Sequence, residues 1–156
     1  MYKFLLMVFK FISRFPWLRR LALKTVNTLF MVGANGVITN DEGKILLFHH
    51  TYRHDYPWGL PGGWLKKNEQ PAQALVREVM EESGLEVQIT KPLTVFSIND
   101  GPMVELVFLG TLIGGNFRPS DEVDDFGLFS FDDFPGQINP RHKELLVQHL
   151  QISERS

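Results

Sequence analysis

The sequence predicts an α/β (α+β) chain in which a mixed sheet is sandwiched between helices, preceded by a helical hairpin. Three observations predict it. Strand-like and helix-like segments follow one another as β-β-β-α-β-β-β-α, the order a sheet covered on both faces requires. Residues 71–83 carry a helical apolar period that opens on a proline and closes on a glycine. The chain has 156 residues, 44% of them hydrophobic, enough for one domain with a proper core. The expected boundaries are residues 1–27 for the hairpin and 28–156 for the sandwich domain.

The first segment is set apart by charge. Residues 1–30 hold Lys3, Lys10, Arg14, Arg19, Arg20 and Lys24 and no acid, so a formal net charge of −2 for the whole chain hides a basic end and an acidic remainder. A first helix is apolar almost all round, with Lys3, Lys10 and Arg14 as a narrow polar stripe. Pro16 breaks it, and a second helix is expected from Trp17 to about Asn27. The uncharged run Phe4 to Phe9 is far too short to span a bilayer. Lys10 interrupts the apolar region and no small-residue cleavage site follows, which argues against a signal peptide. Two readings of the hairpin remain. It packs on the rest of the chain or on a second copy in a homodimer, or it lies on an anionic membrane surface as a basic amphipathic anchor. Packing is the expectation, with a cytoplasmic protein; the second reading makes that protein membrane-associated.

The remaining elements follow in order. Phe30 to Thr39 is β-rich, Asn40-Asp41-Glu42-Gly43 is a turn, and Lys44 to Tyr52 completes a hairpin. The loop from His49 leads through a short strand, Trp58 to Leu60, into Pro61-Gly62-Gly63. After the helix come strands near Glu86 to Ile98 and Met103 to Ile113, joined by the turn Asn99-Asp100-Gly101-Pro102. Gly114 to Asp125 reads as loop, Phe126 to Phe131 as strand and Pro140 to Gln151 as a closing helix. Asp132-Asp133 reads as helix capping.

The helix at 71–83 carries the chemistry. Ala72, Leu75, Val76 and Val79 recur at three- and four-residue steps and form one apolar stripe. Glu78, Glu81 and Glu82 stand at i, i+3 and i+4 and are expected on the other face. Three carboxylates on one turn repel unless a cation sits among them, and hard oxygen ligands suit Mg²⁺, with Mn²⁺ as a substitute. An acidic helix face is often only a solvated one, but solvation does not explain Gly62, Gly63, Glu69 and Arg77 beside it. Arg77 is placed to pair with Glu69 before the helix or with Glu81 one turn on.

Gly63, Glu69, Arg77, Glu78, Val79, Glu81, Glu82, Gly84 and Leu85 fall on the pattern G-x5-E-x7-R-E-U-x-E-E-x-G-U, where U is bulky and apolar. At roughly 6% usage per residue type, a chance match in this chain is on the order of 10⁻⁷. The pattern resembles the Nudix box, and the chain is similar to Nudix hydrolases. The resemblance implies an αβα sandwich and a divalent-metal-dependent pyrophosphohydrolase. Its substrate would be a nucleoside diphosphate linked to another moiety, such as ADP-ribose or a nucleotide sugar or alcohol. It implies Glu78, Glu81 and Glu82 as metal ligands, the Gly62 or Gly63 carbonyl as a further contact, and Glu69 and Arg77 as structural supports. Glu122, in PSDEVDDF, best matches a late glutamate that serves as ligand or base, although Gly127-Leu128 stands where Arg-Trp is common and Asp121, Asp124 and Asp125 compete. Glu78, Glu82 and Glu122 are thus the catalytic candidates, with Glu122 or Glu78 as the base. The loop before the box is placed near substrate, with Arg53 for a phosphate and Tyr56 and Trp58 for stacking.

Other functions are weighed against this one. A nucleoside triphosphate pyrophosphohydrolase of the sanitising type shares the box. A Nudix-fold regulator that binds nucleotides without hydrolysis could lose the glutamates without penalty, so an intact box argues against it. A membrane-associated scaffold rests only on the hairpin. The absence of cysteine rules out disulfides, thiolate metal sites and the cysteine-dependent isopentenyl diphosphate isomerases of the same superfamily. The slightly acidic balance speaks against a nucleic-acid partner. Pro102, seventeen residues past Leu85, is a faint pointer to ADP-ribose-type substrates.

Overall fold

The computed structural model describes Phe15 and residues 29–98 and 101–150. Apart from Phe15, the basic hairpin lies outside the described residues, as do Asn99 and Asp100 of the second turn. Among the described residues nine elements follow in chain order: β1 (Met31–Thr39), β2 (Ile45–His50), β3 (Trp58–Gly59), β4 (Gly62–Trp64), α1 (Pro71–Ser83), β5 (Leu85–Ile98), β6 (Met103–Gly115), β7 (Val123–Phe129) and α2 (Pro140–Leu150). Among the described residues no helix is long and apolar enough to cross a membrane.

The strands form one sheet along the path β3-β2-β1-β6-β5, with β4 paired to β1 and β7 paired to β2. β1 runs parallel to β6 over its whole length, and the other pairings are antiparallel. This is the expected mixed sheet. Strand alternation sends neighbouring residues to opposite faces. Ile38, Leu46, Phe48 and Phe108 pack with Leu75 and Val79 of α1. Their neighbours Val37, Ile45, Leu47 and Val107 pack with Leu145 and Leu146 of α2. Two cores on two faces make the sandwich.

Five readings are corrected. The short segment Gly62–Trp64 is a strand, which pairs Gly33 with Trp64, Ala34 with Gly63 and Asn35 with Gly62. β7 begins at Val123, because that side chain is fully buried in the α1-side core while Asp124 and Asp125 point outward. Asp132 and Asp133 lie in a turn closed by the Asp133 N–H on the Ser130 carbonyl, and the last helix is capped instead by Asn139, whose Oδ1 accepts the Arg141 N–H at 3.0 Å. Val76 is 38% exposed and drops out of the apolar stripe. The buried line of α1 is Leu75, Val79, Glu82 and Ser83 with Ala74 beside it, so Glu82 lies on the inward face and not opposite it.

Candidate active site

α1 starts with Pro71 at its first turn and stops where Gly84 takes the left-handed conformation (φ 69°), its N–H bonding the Met80 carbonyl at 2.9 Å. Between these ends the helix presents Glu78 and Glu82 to a cavity of about 330 Å³. Gly62 and Gly63 of β4, Arg53 and Glu122 line the same cavity. The structure therefore brings together six of the residues picked out from the sequence.

Arg77 organises the approach to it. Its Nε and Nη2 donate to the two oxygens of Glu69 at 2.7 and 2.9 Å, a bidentate fork. Nη1 reaches Glu78 Oε1 at 2.8 Å and Glu81 Oε2 at 2.9 Å, and Nη2 also donates to the Trp64 carbonyl at 3.2 Å. Both pairings foreseen for Arg77 thus occur at once, and one guanidinium ties the loop, β4 and the helix together. Glu69 also accepts the Lys66 N–H, and these contacts, Arg77 first, hold its carboxyl well below the usual range at about 2. Glu81 lies outside the cavity, half exposed, between Arg77 and Lys66.

Glu82 is the unusual group. It is only 7% exposed, and its Oε2 meets no hydrogen-bond donor among the described residues. Burial, then the charges of Glu78 and Glu122, push its pKa up to about 8. A desolvated carboxylate among other carboxylates is costly, and a cation removes that cost. The donor set is entirely hard oxygen, which fits Mg²⁺ or Mn²⁺. Among the described residues no three acidic or imidazole groups are gathered at ion-binding distance.

Glu122 stands at the tip of a tight turn before β7. Its backbone carbonyl accepts the Thr51 N–H at 3.0 Å, and the Thr51 hydroxyl donates to the Asp121 carbonyl at 2.7 Å. This stitch fixes the turn against the end of β2. Of the four competing acids only Glu122 lines the cavity. Asp124 pairs with His49, and an Asp125 oxygen accepts the Phe126 N–H.

The loop residues divide. Arg53 lines the cavity, with its guanidinium 5.4 Å from the centre of the Tyr52 ring and its Nη1 buried without a partner among the described residues. Gly59 leaves room for it: a Cβ there would lie 2.6 Å from Arg53 Nη1 and 2.9 Å from His142 Nδ1. His142 accepts the Leu60 N–H at 2.9 Å, burial drops its pKa to about 3, and it does not line the cavity, so it serves as a neutral strut between α2 and the strand end. Tyr56 and Trp58 do not line the cavity. Tyr56 is exposed, and Trp58 packs edge-on against His49 and Phe129.

Sequence reasoning missed Glu105, Trp64 and Asn35, which line the cavity together with Tyr52 of the loop before the box. Glu105 did leave a signal, as the one charged residue in the strand stretch Met103–Leu112. Pro102 needs only its turn, where its carbonyl accepts the Met31 N–H at 2.8 Å.

Known proteins resemble the chain in sequence and fold. An ADP-ribose pyrophosphatase from Methanocaldococcus jannaschii is 29% identical over 124 residues, 77% of this chain and 73% of that protein. An 8-oxo-dGDP phosphatase from Danio rerio is 35% identical over 105 residues, 65% of this chain but only 31% of the relative. Among solved structures, a Nudix hydrolase from Nitrosomonas europaea superposes with a TM-score of 0.74 at 24% identity, covering 83% of this chain and 75% of the other. The family model for the NUDIX domain matches residues 29–148, and the chain belongs to that family, the Nudix hydrolases of phosphoanhydride bonds.

Proposed function

We propose that the chain is a divalent-metal-dependent pyrophosphohydrolase that cleaves the diphosphate linkage of a nucleoside diphosphate joined to another moiety, of the ADP-ribose or nucleotide-sugar type. The observation that carries the reading is Glu82, a buried carboxylate with an unmet oxygen, flanked by Glu78 and Glu122 in a cavity that Arg53 also lines. The ADP-ribose pyrophosphatase relative supports the substrate class.

Glu78, Glu82 and a carbonyl of Gly62 or Gly63 would hold Mg²⁺ or Mn²⁺, and Glu81, which lies outside the cavity on Arg77 and Lys66, would join them only by leaving those partners. Bound there, the ion supplies positive charge against the phosphoanhydride and its leaving oxygen. Arg77 keeps Glu78 turned to the cavity, and Glu69 keeps Arg77 in place. Arg53 grips a phosphate oxygen. Glu122 takes the proton of the water that attacks phosphorus, while the bridging P–O bond breaks toward the leaving phosphate. Glu78 is the weaker choice of base, since one of its oxygens is already committed to Arg77.

The test is turnover of ADP-ribose, nucleotide sugars, nucleotide alcohols and nucleoside triphosphates with Mg²⁺, with Mn²⁺ and with EDTA. Metal-dependent release of a nucleoside monophosphate from a diphosphate-linked substrate is expected. Turnover of triphosphates alone would replace the substrate class, and none with any metal would leave a nucleotide-binding regulator. Glu122→Gln should lower turnover by about 10²-fold, the lower range for a lost general base, at unchanged apparent metal affinity. A shift in metal affinity alone would make Glu122 a ligand instead.

A further inference from the structure

The mechanism leaves part of the cavity unused. Glu105 sits on β6 directly beside Gly33 of β1. A Cβ at Gly33 would lie 3.5 Å from Trp64 Cζ3 and 3.7 Å from Glu105 Cγ. The bare backbone of Gly33 thus has an indole on one side and a carboxylate on the other. Trp64 is 45% exposed although it lines the cavity, and its backbone is fixed by β4 pairing and by Arg77. Glu105 Oε2 is shielded from solvent and meets no donor among the described residues. A half-exposed aromatic and an unmet acceptor lining one cavity are what a flat, N–H-bearing group satisfies.

We propose that Trp64 and Glu105 form the nucleobase end of the cavity and select a base that presents two adjacent N–H donors, which among the common bases is guanine. This rests on the nucleotide reading above, confines it to its nucleotide-sugar branch with guanosine diphosphate-linked compounds, and sets ADP-ribose aside. The choice follows from hydrogen-bond chemistry. An ionised carboxylate only accepts. The N1–H and N2–H of guanine match its two oxygens in a charge-assisted pair. Adenine sets the N1 lone pair beside its amine, and cytosine and uracil likewise offer one donor next to an acceptor, so each leaves a carboxylate oxygen facing a lone pair. Sites built around such donors reject analogues that lack them far more strongly than apolar pockets do. Burial raises the Glu105 carboxyl above its ordinary range, but Arg141 and Arg53 act against that rise. Arg53, Glu82 and Glu105 line the same cavity.

The experiment is calorimetric binding of GMP, IMP and AMP to the whole chain in EDTA at neutral pH. IMP keeps N1–H and lacks the N2 amine, so affinity should fall from GMP to IMP to AMP, by at least ~10-fold overall, the scale of one lost hydrogen bond to a charged group. Glu105→Gln, whose thermal midpoint checks that it is folded, should bring GMP down to the AMP level. Equal binding of GMP and AMP, no binding of any of the three, or a preference kept in Glu105→Gln overturns the proposal. Because no turnover is read, the two conclusions fail separately. Guanine preference without hydrolysis of any diphosphate would sink the proposed activity alone, and hydrolysis without base preference would sink the base site alone.

Discussion

Glu82→Gln should lower turnover by at least ~10²-fold, the cost of removing one main electrostatic stabiliser of a transition state, while the metal-free protein becomes more stable. The two effects have one cause. Glu82 is buried beside Glu78 and Glu122, and its pKa stands at about 8 instead of the ordinary carboxylate value. A carboxyl with a raised folded pKa binds more protons in the native state than in the unfolded one, so stability falls as pH rises between those two values. In EDTA the wild type should therefore lose thermal stability from about pH 4.5 to about pH 8 on this group's account, and the Gln variant should lack that loss. Each kcal/mol of relief corresponds to about 2–4 °C in Tm for a chain of this size. Scanning calorimetry across pH in EDTA, beside steady-state turnover with Mg²⁺, reads both. A Gln variant that keeps wild-type turnover with unchanged metal dependence removes Glu82 from the metal site. One that loses activity and also loses stability in EDTA makes Glu82 a structural acid.

That inward carboxylate also shows where the sequence could be read and where it could not. The ends of α1 were legible because Pro71 and Gly84 act through local backbone geometry, which needs no tertiary context. Arg77 and Glu69 were legible because their spacing crosses one loop and one helical turn. The orientation of α1 was not. Apolar periodicity sends glutamates outward, and the helix instead turns Glu82 onto its buried line and leaves Val76 exposed. Burial of a carboxylate overrides the hydrophobic pattern at that point. β4 escaped notice because Gly-Gly-Trp is too short to alternate and its glycines have no strand preference. Tyr56 and Trp58 were chosen by proximity in sequence to the box, whereas Trp64 and Glu105 reach the cavity by pairing across β1. Strand register is a tertiary fact, and a lone Glu within an apolar strand was its only trace.

Gly63→Ala should cost a further two orders of magnitude in turnover without unfolding the protein, and the reason is space. A Cβ at position 63 would lie 2.5 Å from Glu78 Cδ and 2.7 Å from Cγ, closer than carbon atoms pack. Either the Glu78 side chain moves or β4 does. Glu78 is held by Arg77 at 2.8 Å, and β4 is held to β1 through the Ala34–Gly63 pair. The side chain is the softer of the two, so its carboxylate should swing out of the cavity and away from Arg77. Misplacing a reacting group by about 1 Å costs on the order of 10²-fold. The methyl group adds no charge and removes no side-chain ligand, so with β4 held on β1 the loss would report chiefly the position of Glu78. Gly136→Ala, where a Cβ meets nothing within 4 Å, is the matched control and should change neither turnover nor Tm. The discriminating measurement is the Mg²⁺ dependence of kcat in Gly63→Ala. A weakened metal dependence with a near-normal melting curve is expected of a displaced ligand. Wild-type kcat and metal dependence would show that the carboxylate of Glu78 need not stand where Arg77 holds it.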